Sequence, residues 1–296
     1  MVSLAPDAPL TGGPNRLSPR RLSPFRRRSA VPGFGLTLGI TLLALSLVVL
    51  IPLSSVAIRA AGMGWSDFVT AAFSRRALLA YRLSFGAALI GATVNGVFGA
   101  LTAWALVRYD FPGKTLLNGL VDLPFALPTA VAGISLATLY APNGLIGGVL
   151  ASLGIKAAYS PLGVVIALTF IGLPFVVRTI EPVLRDFSSD VEEASATLGA
   201  GRLQTIVRIV APALVPAWLT GFALAFARGI GEYGSVIFIA GNMPFKTEIA
   251  PLLITMQLEQ FNYESASAIA VVMLAFSFLL LFVINAIQAW SRRYEG

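Results

Sequence analysis

The charged side chains inside apolar stretches are the first candidates for chemistry in this sequence. Asp122, Arg228 and Glu232 interrupt long uncharged runs, and the last two are four residues apart, which places them on one face of a helix. Charge inside a membrane span is costly and usually faces a cavity or a partner helix. The chain contains no cysteine and no histidine, which excludes disulfides, thiolate or imidazole metal sites and histidine-based triads. The three residues are therefore candidates for translocation or gating of a solute.

The elements that must position these residues are long apolar helices. Of the 296 residues, 56% are hydrophobic and 12% are charged, whereas about 25% of a soluble domain is charged. A helix needs about 20 apolar residues to cross a bilayer. Six such runs predict an all-α membrane protein with six transmembrane helices, at about 35–58, 83–107, 116–140, 161–180, 213–239 and 266–290.

Lysine and arginine residues orient these spans. If both termini are cytoplasmic, fourteen of the 21 basic residues fall in cytoplasmic segments and six in external ones. Basic loops are retained on the cytoplasmic side, so both termini are expected there. The net charge of +7 follows this flanking pattern, which indicates membrane topology and not a nucleic-acid partner.

The chain is expected to divide into four parts. These are a basic disordered cytoplasmic tail at 1–31, a first transmembrane helix with a periplasmic segment at 32–76, a transmembrane domain at 77–290 and a cytoplasmic tail at 291–296. A cleaved signal peptide is the alternative for the N-terminus. The uncharged run from Ala30 to Ile58 is longer than a signal h-region of about 7–15 residues, which favours a retained helix.

Two spans carry features that could open a path or pack helices closely. Pro124 and Pro128 each remove a helical hydrogen bond from the third span, so a kink is expected, with freed backbone groups that face a neighbour or an aqueous path. In the fifth span, Arg228, Glu232 and Tyr233 lie among the glycines of "FARGIGEYGSVIFIAGN". Arg228 and Glu232 are expected to pair, either for packing or gating or in contact with an anion.

A polar segment at about 190–212 predicts a helix-turn-helix in the longest cytoplasmic loop. Asp190 followed by Glu193 resembles a capping box that begins the first short helix. Gly199 permits the left-handed turn that ends this helix. A second short helix is expected to follow, and Pro212 is expected to end the motif before the fifth span.

This hairpin resembles the EAA loop of permease subunits of bacterial ABC importers, whose pattern is Glu-Ala-Ala, a glycine, nine residues and Ile-x-Leu-Pro. The matching residues are Glu193, Ala194, Gly199, Ile209 and Pro212. Ser195 replaces the second alanine, and Ala211 replaces the leucine. The resemblance implies a type I importer permease (MetI-like) fold, in which this loop docks in a cleft of a separate ATPase and couples its closure to the membrane helices. The alternative is an amphipathic hairpin that only holds two helices apart.

Four further segments resemble the T-type (also called U-type) permeases of bacterial sulfate and thiosulfate importers, and the resemblance extends from about residue 32 to residue 290. They are "RYDFPGK", "DLPFALPTAVAGISLA", "LPFVVRTIEPVL" and "ARGIGEYGSVIFIAGNMPFKTEIAPLLI". The resemblance implies a multi-pass subunit of the bacterial inner membrane. Its implied partners are a W-type sulfate permease, two copies of an ABC ATPase and a periplasmic sulfate- or thiosulfate-binding protein.

The energy source is expected to lie outside this chain. Gly113, Lys114 and Thr115 resemble the end of a phosphate-binding loop, but Arg108 stands where that loop needs its first glycine. ATP and Mg²⁺ are therefore expected on the partner ATPase, and no cofactor or metal is expected in this chain.

Three other functions stay open on the sequence alone. A permease for another oxyanion, such as molybdate, would share the EAA architecture. An ion-coupled secondary transporter or channel could use Asp122 or Glu232 as a proton site, although it would have no evident use for the EAA spacing. An intramembrane enzyme is disfavoured by the lack of histidine, cysteine and paired aspartates in facing spans.

Overall fold

The computed structural model describes residues 34–291, and every regular element within them is a helix. The tail predicted at 1–31 lies outside the described residues, as do 292–296 of the predicted C-terminal tail. The chain forms two compact units, one up to Pro52 and one from Leu53 onward. All candidate site residues belong to the second unit.

The first apolar helix contains a π turn. It consists of α1 (Phe34–Leu45), the π turn (Ser46–Leu50) and α2 (Ile51–Ala61). The N–H of Ile51 donates to the carbonyl of Ser46, five residues back. The next residue, Pro52, has no N–H to donate, so the wider turn lets the helix continue past the proline.

The remaining elements are helices that range from 4 to 34 residues in length. They are α3 (Trp65–Ala72), α4 (Arg75–Arg108), α5 (Lys114–Ala126), α6 (Thr129–Tyr140), α7 (Leu145–Ser152), α8 (Pro161–Asp186), α9 (Ser189–Thr197), α10 (Arg202–Thr205), a second π turn (Ile206–Val210), α11 (Ala211–Ile230), α12 (Val236–Ile239), α13 (Ala250–Glu259) and α14 (Tyr263–Ser291). By length and hydropathy, five of the described helices can cross a membrane, or six if α5 and α6 form one bent span. This agrees with the six predicted spans.

The third predicted span is broken, not a single helix. α5 and α6 meet at an angle of 117°, so the kink expected in the third span at about 116–140 is confirmed. Pro124 lies inside α5, whereas Pro128 is the N-cap residue of α6. Leu127 precedes this proline and is extended, with φ −85° and ψ 136°, because a proline disfavours helical backbone at the residue before it.

The fifth predicted span also differs from expectation at both ends. The helix runs without interruption over Arg202–Ile230, so Pro212 does not end it. The N–H of Ala211 donates to the carbonyl of Ile206, and this π turn accommodates Pro212 as the first one accommodates Pro52. The predicted continuation to residue 239 is wrong because the chain leaves the helix after Ile230, where glycines lower helix propensity.

Three helices, α4, α8 and α11, pack around the core at positions where glycine is needed for close approach. A Cβ at Gly99 of α4 would lie 2.8 Å from Cγ1 of Val176 in α8, and a Cβ at Gly221 of α11 would lie 2.9 Å from Cα of the same valine. Val176 is fully buried. Small residues that allow backbones to approach are typical of helix packing in membranes, and here they fix the frame on which the charged residues sit.

Candidate functional site

The EAA-like hairpin consists of α9 and α10. Ser188 caps α9, because its hydroxyl accepts a hydrogen bond from the N–H of Asp190 at 3.1 Å. The predicted cap at Asp190 is wrong. A capping residue needs non-helical backbone, which Ser188 has with ψ 133°. Asp190 and Glu192 lie instead in the first turn, where negative side chains interact favourably with the helix dipole.

Gly199 makes the turn between the two arms of the hairpin, as predicted. Its φ is +84°, a conformation that only glycine adopts at little cost. The N–H of Gly199 donates to the carbonyl of Ala196, and the N–H of Ala200 donates to that of Ser195, both at 3.0 Å. These two bonds form a Schellman motif, so the bend has a defined geometry.

A buried polar pair joins the two arms. The hydroxyl oxygens of Ser195 in α9 and Thr205 in α10 are 2.8 Å apart, and the two residues are only 5% and 7% exposed. Ser195 also donates to the carbonyl of Glu192 at 2.8 Å, so Thr205 is the donor between the hydroxyls when Ser195 makes that bond. Ser195 stands where the EAA pattern has its second alanine, and it adds a link that alanine cannot make.

An ion pair ties the hairpin to the end of α4. Nη2 of Arg108, the last residue of α4, contacts Oε1 of Glu192 in the first turn of α9. The guanidinium also lies over the ring of Trp104, 5.7 Å from its centroid. Both side chains of the ion pair are partly shielded from solvent. The orientation of α9 is therefore set by a long membrane helix as well as by its own turn.

The hairpin exposes its EAA residues and two large leucines. Glu193, Ala194 and Gly199 are exposed on the hairpin, while Ile209 is half-buried in the π turn and Pro212 is exposed near the start of α11. Leu198 is 88% exposed and Leu203 is 75% exposed. Large apolar side chains on a polar loop are typical of a protein-interaction surface. We call Leu198, Leu203 and the exposed EAA residues the hairpin surface.

Asp122 is held by an arginine of the neighbouring helix. Nε and Nη2 of Arg178 in α8 contact the two carboxylate oxygens of Asp122 in α5 at 2.8 and 2.6 Å. Arg178 also donates to the side chain of Asn118 at 2.9 Å and contacts Glu181. Glu181 is buried and contacts Arg185 as well. The carboxylate predicted as a translocation or gating candidate is thus part of a network that joins α5 to α8.

Arg228 and Glu232 form the predicted ion pair at the end of α11. Glu232 is 2% exposed, and its other carboxylate oxygen accepts hydrogen bonds from the N–H and hydroxyl of Ser235 at 2.9 and 3.0 Å. The carboxylate therefore fixes the irregular backbone that follows α11. Tyr233 is half-buried in this segment, and its carbonyl accepts from the N–H of Ile237.

The two charged clusters are not one site. Asp122 and Arg178 lie eight residues from the ends of α5 and α8 that lead to the loops beside the hairpin. Arg228 lies at the far end of α11, about 25 Å along the helix from Ala211 at 1.5 Å per residue. Pro124 lies near the Asp122 cluster in sequence, and Pro128 stands at the bend before α6.

Some charged contacts could not be found from the sequence. Arg76 in α4 makes a bidentate ion pair with Glu248, at 2.7 and 2.6 Å, in the loop before α13. Glu248 is 3% exposed. The two residues are 172 positions apart in the chain, and local spacing carries no signal for such a pair.

The Gly-Lys-Thr segment marks the start of α5, with Lys114 and Thr115 in its first turn. Gly113 has φ +89° and is the N-cap residue of α5. Nζ of Lys114 contacts Oδ1 of Asp110 at 2.8 Å, and this hydrogen bond lowers the pKa of the exposed Asp110 carboxyl. A turn at residues 112–113 thus leads into α5.

The sequence of this chain is similar to those of known membrane transport proteins. Residues 95–293 match the family model for the binding-protein-dependent transport system inner membrane component. The chain is 48% identical to the sulfate transport system permease protein CysT of Salmonella typhimurium, over 91% of this chain and 98% of that protein. It is 47% identical to the protein of the same name from Synechocystis, over 87% of this chain and 90% of that protein.

The fold is shared with solved importer structures of low sequence identity. One is a bacterial ABC transporter that imports the acidic polysaccharide alginate, with a TM-score of 0.71 and 16% identity, covering 88% of this chain and 94% of that chain. Another is the MetNI methionine ABC transporter in an inward-facing conformation, with a TM-score of 0.55 and 14% identity, covering 77% and 99%.

Proposed function

The chain belongs to the binding-protein-dependent transport system inner membrane components, the membrane permease subunits of ABC importers, and we propose that it serves an ATP-driven importer of sulfate and thiosulfate. It would form half of the translocation pathway and couple that pathway to a separate ATPase. The substrate class rests on relatives named as sulfate permeases that are 48% identical over nearly their whole length.

The observation that carries the coupling role is the hairpin surface. Leu198 and Leu203 are exposed on a loop that two independent contacts hold in place. A partner that closes on this loop would meet a rigid element, because the Schellman turn and the Ser195–Thr205 pair fix the angle between its arms. The Arg108–Glu192 ion pair would then transmit the displacement to α4.

The proposed assembly follows from this coupling. Two copies of an ABC ATPase would bind ATP and Mg²⁺ and dock on the cytoplasmic face. A W-type permease would supply the other half of the pathway, and a periplasmic binding protein would deliver the anion. The chain would lie in the bacterial inner membrane with both termini cytoplasmic, as the distribution of its basic residues indicates.

The double negative charge of the proposed substrate explains why it needs a dedicated transport path. Moving a doubly charged anion from water into an apolar medium costs on the order of tens of kcal/mol, so the anion needs an aqueous path with replacement dipoles. Such a path must never be open to both sides if the anion is to be accumulated. Closure driven by ATP on the hairpin surface can alternate access to the path.

The charged clusters fit structural or gating roles better than proton transfer. Arg178 holds both carboxylate oxygens of Asp122, and both oxygens of Glu232 have partners. Both carboxylates thus link segments of the chain: Asp122 joins α5 to α8, and Glu232 fixes the backbone that follows α11. This supports an ABC permease over the ion-coupled transporter.

Uptake of labelled sulfate tests the proposal. Sulfur-starved cells that lack the gene would be compared with cells that carry it, with thiosulfate or molybdate as competitor and with or without ATP depletion. We expect uptake that needs the gene and ATP and that thiosulfate blocks better than molybdate. Sulfate uptake unchanged by deletion would indicate another oxyanion, and gene-dependent uptake after ATP depletion would indicate an ion-coupled transporter.

A further inference from the structure

A groove of about 620 Å³ lies between α4 and α8 and is separate from the hairpin and from the charged clusters described above. We call it the α4–α8 groove. On α4 it is lined by Leu79, Leu83 and Ile90 among others, and on α8 by Leu162 and Val165. The α4 residues belong to the half of that helix that is remote from Arg108.

The apolar part of the groove follows the helix axis. Ile90 follows Arg82 by eight positions on α4, a rise of about 12 Å at 1.5 Å per residue. Gly86 lies in the middle of this stretch, and a Cβ there would meet no atom within 4 Å. The missing side chain at this position therefore leaves space in the groove.

Two cations line the same groove. Arg82 is contributed by α4 and Lys246 by the loop before α13, and both are exposed. Within residues 34–291, neither Arg82 nor Lys246 forms an ion pair. The acid nearest in sequence to Lys246, Glu248, is already engaged by Arg76. The groove thus combines an apolar channel with unneutralised positive charge.

We propose that the α4–α8 groove binds an anionic phospholipid of the bilayer, with an acyl chain along Leu83 and Ile90 and the phosphate at Arg82 and Lys246. Arginine and lysine side chains bind phosphate oxygens through charge-assisted hydrogen bonds. An acyl chain gains free energy for each methylene that it buries. A hydrated oxyanion would gain from the two cations but not from the leucines, so an amphiphile matches the whole lining and an inorganic anion matches only its rim.

A photoreactive probe inside the groove would identify the occupant directly. The chain has no cysteine, so Gly86→Cys gives it a single thiol, at a position where a side chain meets no neighbour. The assembled transporter would be placed in nanodiscs of equal parts phosphatidylglycerol and phosphatidylcholine, with a benzophenone on this thiol. We expect the cross-linked product to be a phospholipid, enriched in phosphatidylglycerol.

Charge variants test the headgroup contact. In the Gly86→Cys background, Arg82→Ala with Lys246→Ala should abolish the enrichment, with a loss of about fivefold for each cation. Arg75→Ala removes an exposed cation from the same helix end but outside the groove lining, and it should leave the enrichment unchanged. A product joined to a protein would show that a partner subunit or second copy fills the groove and would overturn the proposal. So would phospholipid products with no anionic preference, or a preference that the double variant retains.

Discussion

Ser195 adds hydrogen bonds to the hairpin at the position where the EAA pattern has its second alanine. Its hydroxyl accepts from Thr205 and donates to the carbonyl of Glu192 within a space that an alanine would otherwise leave apolar. A buried hydrogen bond contributes about 1 kcal/mol, and an unpaired buried hydroxyl costs a similar amount or more. The pair therefore stiffens the hairpin only as long as both members are present.

Replacing Ser195 tests this pair. We expect Ser195→Ala to loosen the hairpin by about 1 kcal/mol, which is about fivefold faster hydrogen exchange of its amides. Ser195→Ala leaves the Thr205 hydroxyl with only a long bond of 3.4 Å to the carbonyl of Gly201. Ser195→Ala with Thr205→Val removes both hydroxyls together and should recover part of the protection, because this poorly paired buried donor is gone. Hydrogen exchange mass spectrometry over residues 189–210 would measure this. Equal exchange in all three proteins would show that the pair contributes nothing.

The sequence predicts charged pairs only when they are local. Arg228 and Glu232 are one helical turn apart, so their contact follows from helix geometry alone. Arg178 and Asp122 are 56 residues apart, and their contact depends on how α5 packs against α8. Glu248 is a buried carboxylate in a loop, and no periodicity identifies its partner Arg76.

At the scale of elements, the hairpin turn depends on backbone conformation more than on space. A Cβ at Gly199 or at Gly201 would meet no atom within 4 Å. Gly199 has φ +84°, whereas Gly201 has φ −71° and ψ 155°, which any residue adopts. The two neighbouring glycines therefore form a matched pair for experiment.

We expect Gly199→Val to disrupt the turn, because left-handed backbone costs a residue with a Cβ about 1–2 kcal/mol and a β-branched residue is among the least tolerated there. ATP hydrolysis by the complex should then continue while sulfate transported per ATP falls. Gly201→Ala should behave as the wild type. Normal uptake per ATP in Gly199→Val would contradict the coupling role of the hairpin.

Helix ends and bends were only partly predictable. Pro124 and Pro128 both predict a break in the third span, but only the structure places the bend at Pro128, since a proline can also sit inside a helix as Pro124 does. Pro212 predicts a helix end, yet the helix passes it by a π turn. Sequence periodicity does not detect a single extra residue in this helical turn, because α10, on its N-terminal side, has only four residues.

At the scale of the whole molecule, the ion pair between Arg108 and Glu192 determines which loops lie on the same side of the membrane. It brings the end of α4 next to the start of α9, so the loop after α4 and the hairpin must lie on one membrane face. α8 enters from the other face after Ser160 and ends beside the hairpin at Asp186. The loop that contains Lys156 therefore lies opposite to the hairpin.

Single-cysteine labelling tests this arrangement and its absolute direction. Because the chain lacks cysteine, Asp110→Cys in the loop after α4 and Lys156→Cys each provide one exposed reporter. In cells whose outer membrane has been permeabilised and whose inner membrane is intact, a membrane-impermeant maleimide should label Lys156→Cys at once and Asp110→Cys only after lysis. The reverse pattern would invert the proposed orientation, and labelling of both in intact cells would contradict the topology itself.

The π turn at Ile206–Val210 determines how the hairpin is rotated about the axis of α11. Each residue of an α-helix advances the chain by about 100° around the axis, and a π turn inserts one residue without breaking the helix. Removal of one residue from this turn would restore a regular helix but rotate Leu203 and the rest of the hairpin about the axis of α11. The hairpin would then face a different side of the α11 axis. This one extra residue therefore determines the direction from which a partner that binds the hairpin can push on α11.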